Sequence, residues 1–214
     1  YFNPPHNEER ELMARGVQKV GDWRTAHRIL AAGPLKLQAA ADRAVLKEAH
    51  LFRKEIVQGI TKQAPGGEAF NPLAETTLAT RKFRGFKGTK ALIVHGDLRN
   101  AVTVIKRRDE AFVGVPRTAR GRGGEKLVNV AEVQEFGSRP IVIAMSEKMR
   151  RLLHKMFRQA GLPPGEGGGG AVAIVQVPAR PFLKPVFEKL APGAAKRFAA
   201  NVAAALGGDF GRTM

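Results

Sequence analysis

ALIVHGDLRNAVTVIKRRDEAFVGVPRTARGR, residues Ala91–Arg122, carries the clearest strand pattern and the densest positive charge of the chain. Side chains that alternate over about 101–106 predict a strand, because successive side chains of a strand point to opposite faces. The charged residues 106–110 predict a turn, and residues 111–115 predict the returning strand. The stretch therefore predicts an antiparallel hairpin, around which the other elements are arranged.

Outside the hairpin, apolar runs at about 140–145 and 171–177 predict two further strands. Helical periodicity and capping signals predict helices over residues 7–32, 35–62, 72–83, 128–136, 146–160 and 182–190, and a last helix from residue 192. The predicted fold is α+β: a small four-stranded antiparallel sheet covered by helices, with an N-terminal helical hairpin and a C-terminal helix.

Residues 1–63 are predicted to form an N-terminal unit, in which a Pro-rich arm at residues 1–6 precedes the helical hairpin. The two helices of that hairpin are expected to meet at Gly33-Pro34, because glycine commonly ends a helix and proline starts one. An apolar stripe marks the buried face of the second helix: Leu37, Ala41, Val45, Ala49, Phe52, Ile56 and Ile60. Residues 64–214 are predicted to form the second unit, the α+β core.

The charge balance restricts the class of partner. The 214 residues hold 36 Lys and Arg against 19 Asp and Glu, a net charge of +17. Between Thr80 and Lys126, thirteen Lys and Arg face four Asp and Glu, a net charge of +9. A chain this basic attracts polyanions, of which nucleic acid is the usual one, with an acidic protein or an anionic membrane as alternatives. No apolar run approaches the ~20 residues of a membrane span. The predicted partners do not include a membrane.

The hairpin turn and the loop after the hairpin concentrate the basic side chains. Six of them are the candidate contact residues: Lys106, Arg107, Arg108, Arg117, Arg120 and Arg122. Arginine in Gly-rich sequence suits contact with phosphates, and no base-reading helix or paired aromatic platform accompanies it. The pattern predicts contact with a nucleic-acid backbone, independent of base sequence, or with an acidic neighbour.

A catalytic site is poorly supported. The chain has no cysteine, which excludes thiol catalysis, disulfides and cysteine-held metals, and none of its five histidines lies four residues from another. Gly85–Lys90 is too short for a phosphate loop. His95 and Asp97 flank Gly96 and offer an acid–base or metal pair, but a turn residue and a helix cap account for them better. No enzyme activity, cofactor or metal is predicted, and a hydrolase at His95 and Asp97 is the remaining alternative.

Three short segments carry a family resemblance. They are Gly96-Asp97-Leu98-Arg99 before the hairpin, Phe136-Gly137 after a short helix, and Ala179-Arg180-Pro181-Phe182-Leu183 before the last helix. Their order resembles the tail-completion (virion morphogenesis) proteins of long-tailed bacteriophages over roughly residues 72–206. The chain departs from that pattern at His95, where the family usually has threonine, and at Ala101, where it usually has serine.

The resemblance implies a structural virion protein rather than an enzyme. Members of that family form rings, commonly hexamers, at the neck between head and tail, around the path of the packaged DNA. The implied partners are further copies of the chain, head connector or adaptor proteins, tail terminator or tail tube proteins, and the DNA backbone. The implied locations are the virion neck and, during assembly, the host cytoplasm. Six copies would carry about +102, which needs screening by salt, acidic neighbours or DNA. A free nucleic-acid-binding protein without sequence preference is the main alternative.

Overall fold

The structure is a computed structural model that describes residues 23–161 and 172–210, with side chains for residues 31–161 and 172–206. The predicted arm at residues 1–6 and the predicted helix over residues 7–22 lie outside the described residues. The predicted division of the chain after residue 63 stays a prediction.

The described residues confirm the α+β class. In chain order the elements are α1 (Trp23–Lys62), a 3₁₀ turn (Pro65–Gly67), α2 (Glu75–Phe83), α3 (Asp97–Ala101), β1 (Thr103–Arg107), β2 (Glu110–Gly114), α4 (Leu127–Phe136), β3 (Ile141–Ala144), α5 (Glu147–Ala160), β4 (Val172–Val175) and α6 (Lys184–Phe210). None of these helices combines the length and the apolar character needed to cross a bilayer.

The four strands do not form one sheet, so the predicted four-stranded sheet is wrong. β1 pairs with β2 in the predicted hairpin, with Thr103 opposite Gly114 and Arg107 opposite Glu110. β3 pairs separately with β4, with Ile141 opposite Val175. The physical reason lies in packing: both strands of the first pair lie on α1, whereas β3 and β4 pack extensively on no other helix or strand that the structure describes.

The predicted break at Gly33-Pro34 is also wrong, because α1 continues through Pro34 over 40 residues. A proline inside a helix removes one N–H donor and leaves one carbonyl without its helical partner. This part of α1 is exposed (Leu35 retains 76% of its accessible surface), so water can bind the released carbonyl. The described part of the N-terminal region is therefore one long helix rather than a helical hairpin.

The apolar stripe of α1 is confirmed in its second half. Ala49, Phe52, Ile56 and Ile60 are buried, and the rings of Phe52 and Phe187 on α6 lie 4.8 Å apart. In the first half the buried positions are Ala40 and Ala44, while Leu37 is exposed. The helix thus turns its small residues, not its leucines, toward the protein at that end.

α6 packs along α1 and closes the fold. The two helices predicted on either side of residue 191 are one helix, with Pro192 inside it, and it extends past Gly207-Gly208 to Phe210. The guanidinium of Arg197 donates from Nε to the Glu48 carboxylate at 2.9 Å, which joins α6 to α1. Part-buried ion pairs of this geometry fix the relative position of two helices more firmly than surface pairs do.

One buried cluster joins α1, the residues that flank the β1–β2 hairpin, α4 and the start of α6. Its members are Ile56, Ile60, Leu98, Val102, Val115, Leu127, Ala131, Phe182 and Val186. Arg53 on α1 donates from Nε to the carbonyl of Val102 at 2.8 Å and so fixes the start of the β1–β2 hairpin against α1. The hairpin and the segment at 179–183 are therefore held by the same core.

Candidate functional site

The tip of the β1–β2 hairpin lies beside the N-terminal half of α1. Lys106 is paired with Asp42 on α1, with Nζ 3.0 Å from Oδ2, and Gln38 donates to Asp109 at 3.2 Å. Arg107 and Arg108 are exposed, and neither forms an ion pair with any residue that the structure describes. The tip therefore presents two free guanidinium groups to solvent and one lysine already neutralised.

The loop after the hairpin is folded back on itself. Gly121 donates its N–H to the carbonyl of Glu125 at 2.9 Å, and Arg120 lies opposite Lys126 in an isolated bridge. Arg122 is held by Asp97, whose carboxylate accepts from the backbone N–H at 3.2 Å and lies 3.4 Å from Nε. Arg117 and Arg120 are exposed and, within the described chain, have no carboxylate partner.

The tip and the loop lie at opposite ends of the hairpin. Five residues of β1 separate them, which at ~3.3 Å per residue is about 15 Å. The six predicted contact residues therefore form two separate basic regions. Four of them, Arg107, Arg108, Arg117 and Arg120, have no ion pair among the described residues, so these are the ones open to a polyanion.

The turn at His95 and Asp97 differs from the prediction in one respect. Gly96, at φ 82°, is the N-cap of α3, and the Asp97 carboxylate binds Arg122 instead of capping the helix. His95 packs edge-on against Phe86, with ring centroids 5.0 Å apart at 83°. No group of three metal-binding side chains occurs in the described part of the chain. Asp97 thus anchors the basic loop, and His95 makes an aromatic contact.

The structure brings two of the three motif segments into direct contact. Gly137 follows α4 at φ 80°, and a Cβ there would lie 3.2 Å from the backbone N of Ala179 and 3.2 Å from the carbonyl O of Val177. Ser138 donates its N–H to Val177 at 2.9 Å, and the N–H of Arg180 donates to Gln134 at 2.6 Å. A side chain at 137 would be strained at this positive φ and would make tighter contacts than usual, which favours glycine.

Glu135 joins the same two segments, and the sequence interpretation missed it. Its carboxylate is buried and accepts from three consecutive N–H groups at the start of α6: Phe182 at 2.8 Å, Leu183 at 3.0 Å and Lys184 at 2.8 Å. The buried face of α4 runs through Leu127, Ala131 and Glu135, a spacing of four residues. This four-residue spacing could have predicted that Glu135 is buried. A carboxylate at such a position is, however, usually expected to be exposed.

Arg180 is the second buried charged residue where α4 meets the segment at 179–183. It donates from Nε to the carbonyl of Asn71 and from Nη2 to the carbonyl of Pro72, both at 3.0 Å. Phe182 is fully buried in the cluster that also contains Leu98, while Arg99 bonds its neighbour Asn100 at 3.2 Å. Pro181 and Leu183 are partly buried, and Ala179 is exposed. Most of the motif residues therefore have a structural role.

Phe136 is different, because 76% of its surface is exposed. It precedes an arm formed by β3, α5 and β4, in which α5 packs on α2. Both faces of the β3–β4 pair are apolar and exposed: Ile141, Val142, Ile143, Val172, Ile174 and Val175 each retain 40% or more of their surface. Contiguous exposed apolar surface of this kind marks contact sites.

Comparisons with known proteins identify no relative: no family model, no curated protein and no solved structure matches the chain.

Proposed function

We propose that the chain is a structural protein of the bacteriophage head–tail neck, a tail-completion subunit that assembles into a ring around the DNA path. The proposal rests on the sequence resemblance described above. The structural observation that supports assembly is the β3–β4 pair, whose two faces are both apolar and exposed. An isolated two-stranded pair is at best marginally stable in water, so a partner surface that covers it stabilises it.

The occupant we assign to the β3–β4 pair is a second copy of the chain. With a net charge of +17, two copies repel each other wherever their basic regions meet. An apolar contact carries no such penalty. All eight residues of β3 and β4 are uncharged, and six of them are large, apolar and exposed: Ile141, Val142, Ile143, Val172, Ile174 and Val175. A head-to-tail arrangement of such contacts closes into a ring when the rotation per subunit divides a full turn.

The free arginines give the ring its proposed relation to DNA. Arg107 and Arg108 at the hairpin tip, and Arg117 and Arg120 in the loop, are exposed and without carboxylate partners among the described residues. Contacts from such groups to phosphates release counterions and do not depend on base sequence. The proposed partners beyond the ring are a head connector or adaptor on one side and a tail terminator or tube protein on the other.

Electron microscopy of the purified protein, alone and mixed with connector and tail terminator, tests the proposal. We expect rings, and we expect Val142→Glu, which places a charge on the exposed face of β3, to leave monomers. Val142→Thr keeps the shape and the strand preference and should still form rings. Persistent monomers of the unaltered chain that join neither partner would overturn the proposal.

The exposed arginines also favour a second candidate, a free nucleic-acid-binding protein without sequence preference. That function predicts tight, salt-sensitive binding of monomers to any DNA, with log Kd linear in log salt. It also predicts that Val142→Glu binds DNA as the unaltered chain does. Loss of DNA binding together with loss of rings would instead favour the neck protein.

A further inference from the structure

Two arginines, Arg81 and Arg180, line a cleft of about 740 Å³. The cleft borders α2, α4, β4 and the segment that precedes α3. Arg180 is buried and uses Nε and Nη2 to bind the carbonyls of Asn71 and Pro72. Arg81 uses Nη1 to bind the carbonyls of Gly88 and Lys90, at 3.1 and 2.8 Å. Neither forms an ion pair with any described residue, and these hydrogen bonds all go to backbone carbonyls.

This arrangement is electrostatically incomplete. Burial, and next the positive charge of Arg180, lower the pKa of Arg81 from its usual value. Like charges close together in a site with limited water repel each other more strongly than in bulk solvent. Nη1 of Arg180 has no hydrogen bond to the described part of the chain. A carboxylate between the two guanidinium groups removes the repulsion and gains charge-assisted hydrogen bonds.

One wall of the cleft is formed by the end of β4 and the two residues that follow it. Ile174 and Val175 of β4 line this wall, and so do Gln176 and Val177, although successive side chains of an extended segment point to opposite faces. The cleft therefore borders the edge of this segment rather than one face of β4. β4 pairs with β3 alone among the described strands, so its other edge has free N–H and C=O groups.

We propose that this cleft binds an extended acidic peptide segment of a partner protein, which adds as a strand to the free edge of β4 and places a carboxylate between Arg81 and Arg180. Main-chain hydrogen bonds supply affinity in this mode of recognition, and the charged pocket supplies specificity. The carboxylate belongs to an Asp or Glu side chain or to a chain terminus. The proposal does not depend on ring formation.

A peptide fits the cleft better than a nucleic acid does. Asp97 and Glu125 also line the cleft, and their negative charge disfavours a chain that carries a phosphate at every step. A peptide with one well-placed carboxylate avoids them. Leu73 and Val94 add apolar wall, which suits the alternate side chains of an extended peptide. The net charge of +17 steers acidic partners toward the protein.

Fluorescence anisotropy with labelled six-residue peptides that carry one central Asp among Val and Thr residues, on the full chain, tests this. We expect saturable binding that Arg81→Gln weakens about tenfold or more, since one charge-assisted contact is lost. Arg84→Gln, at the exposed end of the same helix and outside the cleft, is the matched control and should bind as the unaltered chain does. Equal weakening by both variants would show general charge attraction and overturn the proposal.

A second variant leaves both arginines in place. Val94 is 45% exposed and lines the cleft, so Val94→Glu introduces a competing carboxylate and should abolish binding while the fold persists. Peptides with N-methylated backbones should bind at least about tenfold more weakly if they add to β4. Amidated and free-acid peptides distinguish a side-chain from a terminal carboxylate. If N-methylation leaves the affinity unchanged, the peptide does not add to β4 as a strand. If oligo-dT at equal concentration displaces the unmodified peptide, the cleft does not prefer a peptide. Either result would contradict the proposal.

Discussion

The carboxylate of Glu135 accepts a hydrogen bond from the backbone N–H of Phe182 at 2.8 Å, across 47 residues of sequence. The same carboxylate accepts from the N–H groups of Leu183 and Lys184, so one side chain at the end of α4 binds the three consecutive N–H groups that lead into α6. A helix N-terminus carries partial positive charge, which favours an anion there. This contact joins the end of α4 to the start of α6, and we expect its removal to lower the free energy of unfolding measurably.

We expect Glu135→Gln to lower the free energy of unfolding by about 2–3 kcal/mol, because an amide has one acceptor oxygen and its NH₂ group faces donors. Urea unfolding monitored by circular dichroism measures the change. Glu132→Gln, an exposed residue one turn earlier on α4, should change stability by less than about 0.5 kcal/mol. Equal changes in the free energy of unfolding for the two substitutions would show that the buried Glu135 contact does not contribute more to stability than an exposed glutamate does.

Gly137 and Gly161 form a second matched pair, since both end a helix at positive φ. Gly137 has φ 80° and ψ 176°, a region open only to glycine, and a side chain there would press on Ala179 and Val177. We expect Gly137→Ala to destabilise by at least about 2 kcal/mol. Gly161 has φ 75° and ψ 15° with open space around it, so Gly161→Ala should cost about 1 kcal/mol. Thermal melts of both variants provide the comparison.

At the hairpin tip, stability and charge can be separated. Arg108 lies at φ 45°, where a side chain costs about 1–2 kcal/mol, so Arg108→Gly should leave stability unchanged or raise it by up to about 1 kcal/mol. Arg107→Gly, within β1, should lower stability by about 1 kcal/mol. Both remove one positive charge and should reduce the salt slope of DNA binding by about 1 if the tip contacts phosphate. An unchanged slope in both would place the DNA contact elsewhere.

Asp97 should restrain the basic loop. Asp97→Asn removes the ion pair with Arg122, which at a partly exposed site is worth about 0.5–1 kcal/mol. Opening of the loop, and hence tryptic cleavage after Arg122, should accelerate about two- to fivefold. Limited proteolysis followed by mass spectrometry detects it. Asp109→Asn at the hairpin tip removes an acid of the same type and should leave that cleavage rate unchanged.

Local patterns predicted local structure well. The β1–β2 hairpin lies within two residues of its predicted bounds, because side-chain alternation and a charged turn are both encoded within a dozen residues. The apolar runs of β3 and β4 were also recognised, but an apolar run does not specify which strand it pairs with. That choice depends on packing between distant segments, which is why the predicted single sheet was wrong.

The candidate site shows the same limit. The family resemblance drew attention to Gly137 and Arg180, which make close backbone contacts in the structure. It did not identify Glu135, since a carboxylate is usually exposed unless it has specific partners, and those partners lie 47 residues away. Likewise, the unpaired state of Arg81 in the cleft follows from the positions of distant acidic residues, which composition alone does not reveal.

The length of α1 has a consequence for the size of the subunit. Forty helical residues at ~1.5 Å each extend about 60 Å. A compact chain of 214 residues has a radius of gyration of roughly 17 Å, which corresponds to a sphere about 44 Å across. Helix α1 is therefore longer than the diameter of a compact sphere formed by a chain of this length. Small-angle scattering of the monomer should give a maximum dimension of at least about 60 Å.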